Sequence, residues 1–180
     1  MSSYTLLSLL HLLLFLTSIN ATNLINQTCH NSSKNDPNIN YKFCVYALQS
    51  APASQCANLT RLGLMAIKLI KNNVTDTRCL IKQLLSNKML DKSTKEGLTD
   101  CLDLYSDSQP TLNEAAKDYR ARRYVEANLK VSSVIDASTT CEQGFEDLEI
   151  GSPLAQQNNH AYQLSAIALS IMNMFHLAMK

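Results

Sequence analysis

The amino-acid sequence predicts an all-α fold: an up-down-up-down four-helix bundle preceded by a disulfide-closed N-terminal helical hairpin. Three observations carry this expectation. Apolar residues recur at spacings of three and four over four long segments, the mark of helices that each turn one face to a core. Only four Gly and four Pro punctuate 180 residues, while Leu, Ala, Lys and Ser abound, which favours helix over sheet. Four of the six cysteines fall where antiparallel neighbours would bring them together, Cys29 with Cys44 and Cys101 with Cys141. The length suits one domain with a sizeable core.

Residues 1–21 read as a secretory signal. Leu6–Leu16 is an apolar run broken only by Ser8 and His11, too short to span a bilayer but right for the h-region of a leader. Cleavage after Ala21 would leave no membrane attachment. All six cysteines lie beyond that point, an even number suited to an oxidising compartment. The sequons at Asn26, Asn31, Asn58 and Asn73 lie there too and are candidate glycosylation sites; the one at Asn20 falls at the cleavage site.

The mature chain reads as one domain, with a helical hairpin and linker over 22–54 and the bundle over 55–180. Pro37 and its Asn/Ser/Asp neighbours mark the turn of the hairpin, and a Cys29–Cys44 bridge would close it. Ala51–Ser54 is the linker. From about Gln55 to Leu90 apolar residues fall at 59, 62, 66, 69, 70, 80, 81, 84 and 85, the pattern of an amphipathic helix. Lys71, Asn72 and Asn73 form a polar gap where it should loosen. On this single helix Cys56 and Cys79 stand ~34 Å apart, beyond disulfide reach, and both should be free or open to intermolecular contact.

Thr94–Tyr119 forms the next helix, opened by a capping box of Ser93 and Glu96 and kinked at Pro110. Its inner face is Leu98, Cys101, Leu102, Tyr105, Leu112, Ala115, Ala116 and Tyr119. Residues Arg120–Arg123 connect it to a helix over about Tyr124–Thr140, whose seam is Tyr124, Ala127, Val131, Val134, Ser138 and Cys141. A looser stretch to Gly151 follows. Ser152 should cap the last helix and Pro153 begin it, with Ala161, Leu164, Ala168, Ile171, Phe175 and Ala178 along one side. In an antiparallel pair Cys101 and Cys141 meet at one end, closing a loop worth ~4 kcal/mol in the chain-entropy model.

Composition excludes several functions. A net charge of +1 with no Lys/Arg run leaves no footprint for nucleic acid, and the absence of Trp argues against an aromatic shelf for sugars. The mature histidines, His30, His160 and His176, stand in no metal-ligand or nucleophile setting. Four Gly cannot build a phosphate loop, and no cofactor is expected. Asp100, Asp103 and Asp107 do share a helix stripe. It reads either as a solvated face or as a partner-binding edge.

The motifs Pro37–Cys44 (PNINYKFC), Cys101–Tyr105 (CLDLY), Tyr124–Ser133 (YVEANLKVSS), Thr140–Phe145 (TCEQGF) and Ser152–Leu154 (SPL) resemble those of the plant invertase/pectin methylesterase inhibitors. The resemblance runs from Thr28 to Leu177, and the wording before Cys44 is similar to the invertase-inhibitor branch that includes pollen allergens. It implies the bridges Cys29–Cys44 and Cys101–Cys141, in agreement with the bundle. It also implies a protein target, pectin methylesterase or invertase, bound one to one in the apoplast or cell wall, or in the vacuole. For pectin methylesterase inhibitors the matching contact positions are Asp103, Asp107 and Thr140.

At one place the chain departs from both patterns. Pectin methylesterase inhibitors often carry an acidic residue before the aromatic that opens the next helix, and invertase inhibitors often carry Pro-Lys-Phe there. This chain has Arg122, Arg123 and Tyr124, keeping the aromatic and positive charge without the Pro, so Arg123 and Tyr124 join the candidate contacts. The leading expectation is a secreted non-catalytic inhibitor that covers the cleft of pectin methylesterase, with invertase as the alternative target. A non-inhibitory binding or storage bundle is the reading from a different class.

Overall fold

Four helices close a square in the computed structural model, which describes residues 7–8, 22–51 and 58–178. They are α3 (Leu59–Leu85), α4 (Lys92–Arg120), α5 (Tyr124–Asp147) and α6 (Ala155–Ala178). Each packs on the next, and α6 returns to α3, the up-down-up-down arrangement that short connections impose. Before them α1 (residues 22–35) and α2 (Tyr41–Ser50) form the hairpin, joined by the Cys29–Cys44 disulfide with Cα atoms 5.7 Å apart. The leader, apart from residues 7 and 8, and Cys56 lie outside the described residues. Cys79 is a free, exposed thiol on α3. Among the described residues no helix is long and apolar enough to cross a membrane.

The predicted seams form the core. In α5 all six seam residues are buried, and in α4 Leu98, Cys101, Tyr105, Leu112, Ala115 and Tyr119 are. Ala161, Leu164, Ala168 and Ile171 of α6 are buried too. The polar gap in α3 does not loosen it, because Ile70, Val74 and Thr77 carry the buried face across that stretch. Two glycines set how closely α4 approaches its neighbours. A Cβ on Gly63 of α3 would lie 2.0 Å from the Tyr119 hydroxyl, and one on Gly97 of α4 would lie 2.9 Å from the Phe145 ring.

Several boundaries correct the sequence reading. The cap of α4 is Asp91 and not a Ser93–Glu96 box: the Thr94 N–H donates to Asp91 Oδ1 at 2.9 Å, and a carboxylate also suits the positive end of the helix dipole. Helix α4 runs from Lys92 to Arg120 with Pro110 inside it, on the exposed side. Helix α5 continues past Thr140 to Asp147 because Phe145, one turn beyond Cys141, is fully buried and extends the seam. Regular helix in α6 begins at Ala155, two residues after Pro153, and Ser152 Oγ accepts the Leu154 N–H in the turn before it.

Short connections rest on local chemistry. Arg122, at φ 59°, takes the left-handed position after α4, with Arg122 N–H donating to the Tyr119 carbonyl and Arg123 N–H to that of Asp118. This pair of bonds is a Schellman motif. Glu149 at φ 55° does the same after α5. The hairpin is fastened to α6 by polar bonds at its turn: Asn40 N–H donates to Gln163 Oε1 at 2.8 Å, and Gln163 Nε2 donates to the Asn38 carbonyl at 2.6 Å.

Candidate functional site

The Cys101–Cys141 bridge, with Cα atoms 5.0 Å apart, locks α4 to α5 at one end of the pair. Behind it runs a buried polar chain. Tyr105 Oη donates to Asn158 Oδ1 at 2.6 Å, and Asn158 Nδ2 donates to Glu142 Oε2 at 2.6 Å and contacts Cys141 Sγ at 3.3 Å. Burial, reinforced by the nearby Glu142 charge, pushes the Tyr105 hydroxyl far above its ordinary range, so Tyr105 stays a neutral donor. Three helices are thus tied at this end by a disulfide and satisfied hydrogen bonds, a combination that favours one arrangement over others.

On the outer side of the same end lies the acidic stripe. Asp100, Asp103 and Asp107 are all exposed, and Glu96 one turn earlier extends the row to four carboxylates at 96, 100, 103 and 107. Which flank this stripe borders follows from Asp118. Eleven residues beyond Asp107 is close to three full turns, so Asp118 lies on the same stripe, and it bonds to α5. The carboxylates therefore run along the α5 flank of α4. Thr140, exposed beside Cys141, stands on the solvent side of α5 level with the middle of that row, since Cys141 is bridged to Cys101. Structure brings Asp103, Asp107 and Thr140 to one outer face of the α4–α5 pair.

Arg123 and Tyr124 belong elsewhere. They lie at the opposite end of the pair, ~21 Å along α4 from Asp103 by helical rise. Tyr124 is only 9% exposed. Its ring stacks on Phe175 with centroids 4.8 Å apart and meets Tyr119 edge-on at 5.1 Å. The aromatic that sequence offered as a contact is a core residue, because it occupies the first seam position of α5. Arg123 is exposed, yet its guanidinium is engaged with Asp118 through Nε at 3.1 Å and through Nη2. Lys130 Nζ donates to the other Asp118 oxygen at 2.5 Å. The hydrogen bond from Lys130, then that from Arg123, holds the Asp118 carboxyl below its usual range. This cluster anchors the start of α5 to the end of α4.

Sequence reasoning missed Asp118, Lys130 and Glu96 as parts of this face. The period of the acidic row could have found Glu96 and Asp118, whereas the Lys130 pairing depends on the register between two helices. Among the sequons, Asn58 is exposed and caps α3, its Oδ1 accepting the Arg61 N–H at 2.9 Å, and Asn31 is exposed on α1. Asn26 and Asn73 are half-buried, and Asn73 Oδ1 is buried without a hydrogen-bond partner among the described residues. Among the described residues no group of His, Cys, Asp and Glu could hold a metal ion.

Comparison with known proteins gives a consistent result. Residues 23–171 match the family described as plant invertase/pectin methylesterase inhibitor. A Platanus acerifolia protein named "Putative invertase inhibitor" is 35% identical over 162 residues, 89% of this chain and 90% of that protein. Pectinesterase inhibitor 12 of Arabidopsis thaliana is 30% identical over 171 residues, covering 94% and 98%. The crystal structure of a mutant form of a pectin methylesterase inhibitor from Arabidopsis superposes with a TM-score of 0.67 at 26% identity, over 75% of this chain and 89% of that one.

Proposed function

The chain belongs to the plant invertase/pectin methylesterase inhibitor family, and from that premise we propose that it inhibits pectin methylesterase by laying the outer face of α4 and α5 beside the enzyme's substrate cleft. Its family places it among inhibitors and not catalysts. The observation that carries the reading is the exposed row of Asp100, Asp103 and Asp107 with Thr140 beside it, on two helices locked by a disulfide. Side chains held on a rigid pair lose little freedom on binding, and a single-sign row sets orientation and on-rate. Covering a cleft requires no chemistry from the inhibitor. One such face per chain gives one inhibitor per enzyme. The protein acts outside the cell in the wall, with the vacuole as the alternative destination.

The Platanus relative favours a second reading, inhibition of invertase. Titrating the mature protein against purified pectin methylesterase and acid invertase separates the two. Against the true target, replacing Asp103 and Asp107 together with Ala should weaken inhibition by about tenfold or more. Failure to inhibit either enzyme would overturn the inhibitor reading.

A further inference from the structure

A second surface feature lies on the other flank of α4. Between α3 and the C-terminal half of α4 runs an open groove of about 850 Å³. Its rims carry Arg61, Lys68 and Lys71 from α3 and Lys117 and Arg120 from α4, and among the described residues no carboxylate lines it. Five of the sixteen Lys and Arg residues therefore gather at one groove of a chain whose net charge is +1. Lys68 and Lys71 are exposed and have no ion-pair partner among the described residues; Lys117 pairs with the exposed Glu114 at 2.7 Å. The floor is aliphatic, with Leu64, Leu112 and Ala116, and Asn72 and Asn113 add amide groups.

We propose that this groove binds a linear polycarboxylate sugar, the de-esterified form of the polymer on which pectin methylesterase acts. The cations on α3 extend over ten residues, ~15 Å, which suits repeated carboxylates along a strand better than a single anion. An aliphatic floor accepts the C–H faces of sugar rings, and two amides can meet hydroxyls. Hydrolysis of a methyl ester replaces a neutral group by a carboxylate, the change to which a cation-lined groove responds. The identity of the polymer rests on the pectin methylesterase reading above. Because the groove uses the α3 flank of α4 and the acidic row uses the α5 flank, polymer and enzyme can be held together. The inhibitor then accumulates where the enzyme has already worked.

Affinity electrophoresis of the mature protein through gels containing polygalacturonate or highly methyl-esterified pectin tests this. Polygalacturonate should retard the protein and esterified pectin should not. The triple variant Lys68→Ala, Lys71→Ala, Arg120→Ala should bind at least about tenfold more weakly while inhibiting the enzyme undiminished in solution. Lys88→Ala with Lys92→Ala, outside the groove, should bind as the parent does. Equal retardation of the triple variant would overturn the proposal, as would competition by polyglutamate equal to that by polygalacturonate. An inhibitor that ignores polygalacturonate overturns this inference and leaves the inhibitor reading intact. Groove-dependent retardation with neither enzyme inhibited supports the groove and removes the inhibitor reading instead.

Discussion

Tyr119 and Asp118 are neighbours in sequence with opposite demands on their surroundings. The Tyr119 ring packs over Gly63, and its hydroxyl is buried with no hydrogen-bond partner among the described residues; burial raises its pKa far above the ordinary value. A buried hydroxyl without a partner costs stability. Tyr119→Phe should therefore be neutral or stabilising, and Gly63→Ala, which drives a methyl into that ring, should cost ~1–3 kcal/mol. Urea denaturation of both variants checks the pair. Asp118 has the reverse character, since Lys130 and Arg123 hold its charged form. Its folded pKa lies below the unfolded value, so its contribution is present above the unfolded pKa, about 4, and disappears as pH falls through the folded pKa. Thermal melts of the parent and Asp118→Asn should differ at pH 6 and converge in acid. A difference that grows on acidification would contradict the pairing.

The two disulfides make separable predictions for the elements they join. Cys101–Cys141 spans 40 residues and Cys29–Cys44 spans 15, so the chain-entropy model gives ~4 and ~3 kcal/mol. Cys101→Ser with Cys141→Ser should lower the unfolding free energy of the bundle by about the larger figure. The Cys29/Cys44 double variant should act mainly on the hairpin, which hydrogen exchange resolved along the chain would show as faster exchange in residues 22–50 than in α4 and α5. Both bridges and the α5 seam were legible because an i, i+3, i+4 pattern and a short connection leave few arrangements. Boundaries were harder to read. Asp91 displaced the Ser93–Glu96 box because both offer valid local caps and only the position of the first turn decides. The end of α5 depended on Phe145 finding Gly97 across the bundle, a contact no local pattern reveals. In the site, Asp103, Asp107 and Thr140 share a face as helical spacing and the bridge require. Tyr124 was legible as the first seam residue and is buried there; its second reading, as a contact, competes with that burial because an aromatic that opens a helix can serve either role.

For the whole molecule, near-neutral charge conceals a segregated one. Four carboxylates of α4, at 96, 100, 103 and 107, line its outer side after Lys92 and Lys95, whereas Lys117, Arg120, Arg122 and Arg123 crowd its end and the turn beyond, where Glu114 and Asp118 are already paired with Lys117 and Arg123. A chain with net charge +1 gains little steering from its total charge, so any electrostatic guidance toward a target must come from the local row. The row spans eleven residues, ~16 Å of helix, longer than the Debye length of about 10 Å at 0.1 M salt. Added salt thus screens its action at a distance while close contacts in the formed complex survive. Association with the inhibited enzyme should slow several-fold between ~0.02 and ~0.5 M NaCl, with dissociation nearly constant. In Asp103→Asn with Asp107→Asn the association rate should start lower and change by less than about twofold over the same range. Surface plasmon resonance with the enzyme immobilised measures both rates. If the variant keeps the full salt dependence of the parent, the acidic row does not face the target and the docking face must be sought on another pair of helices.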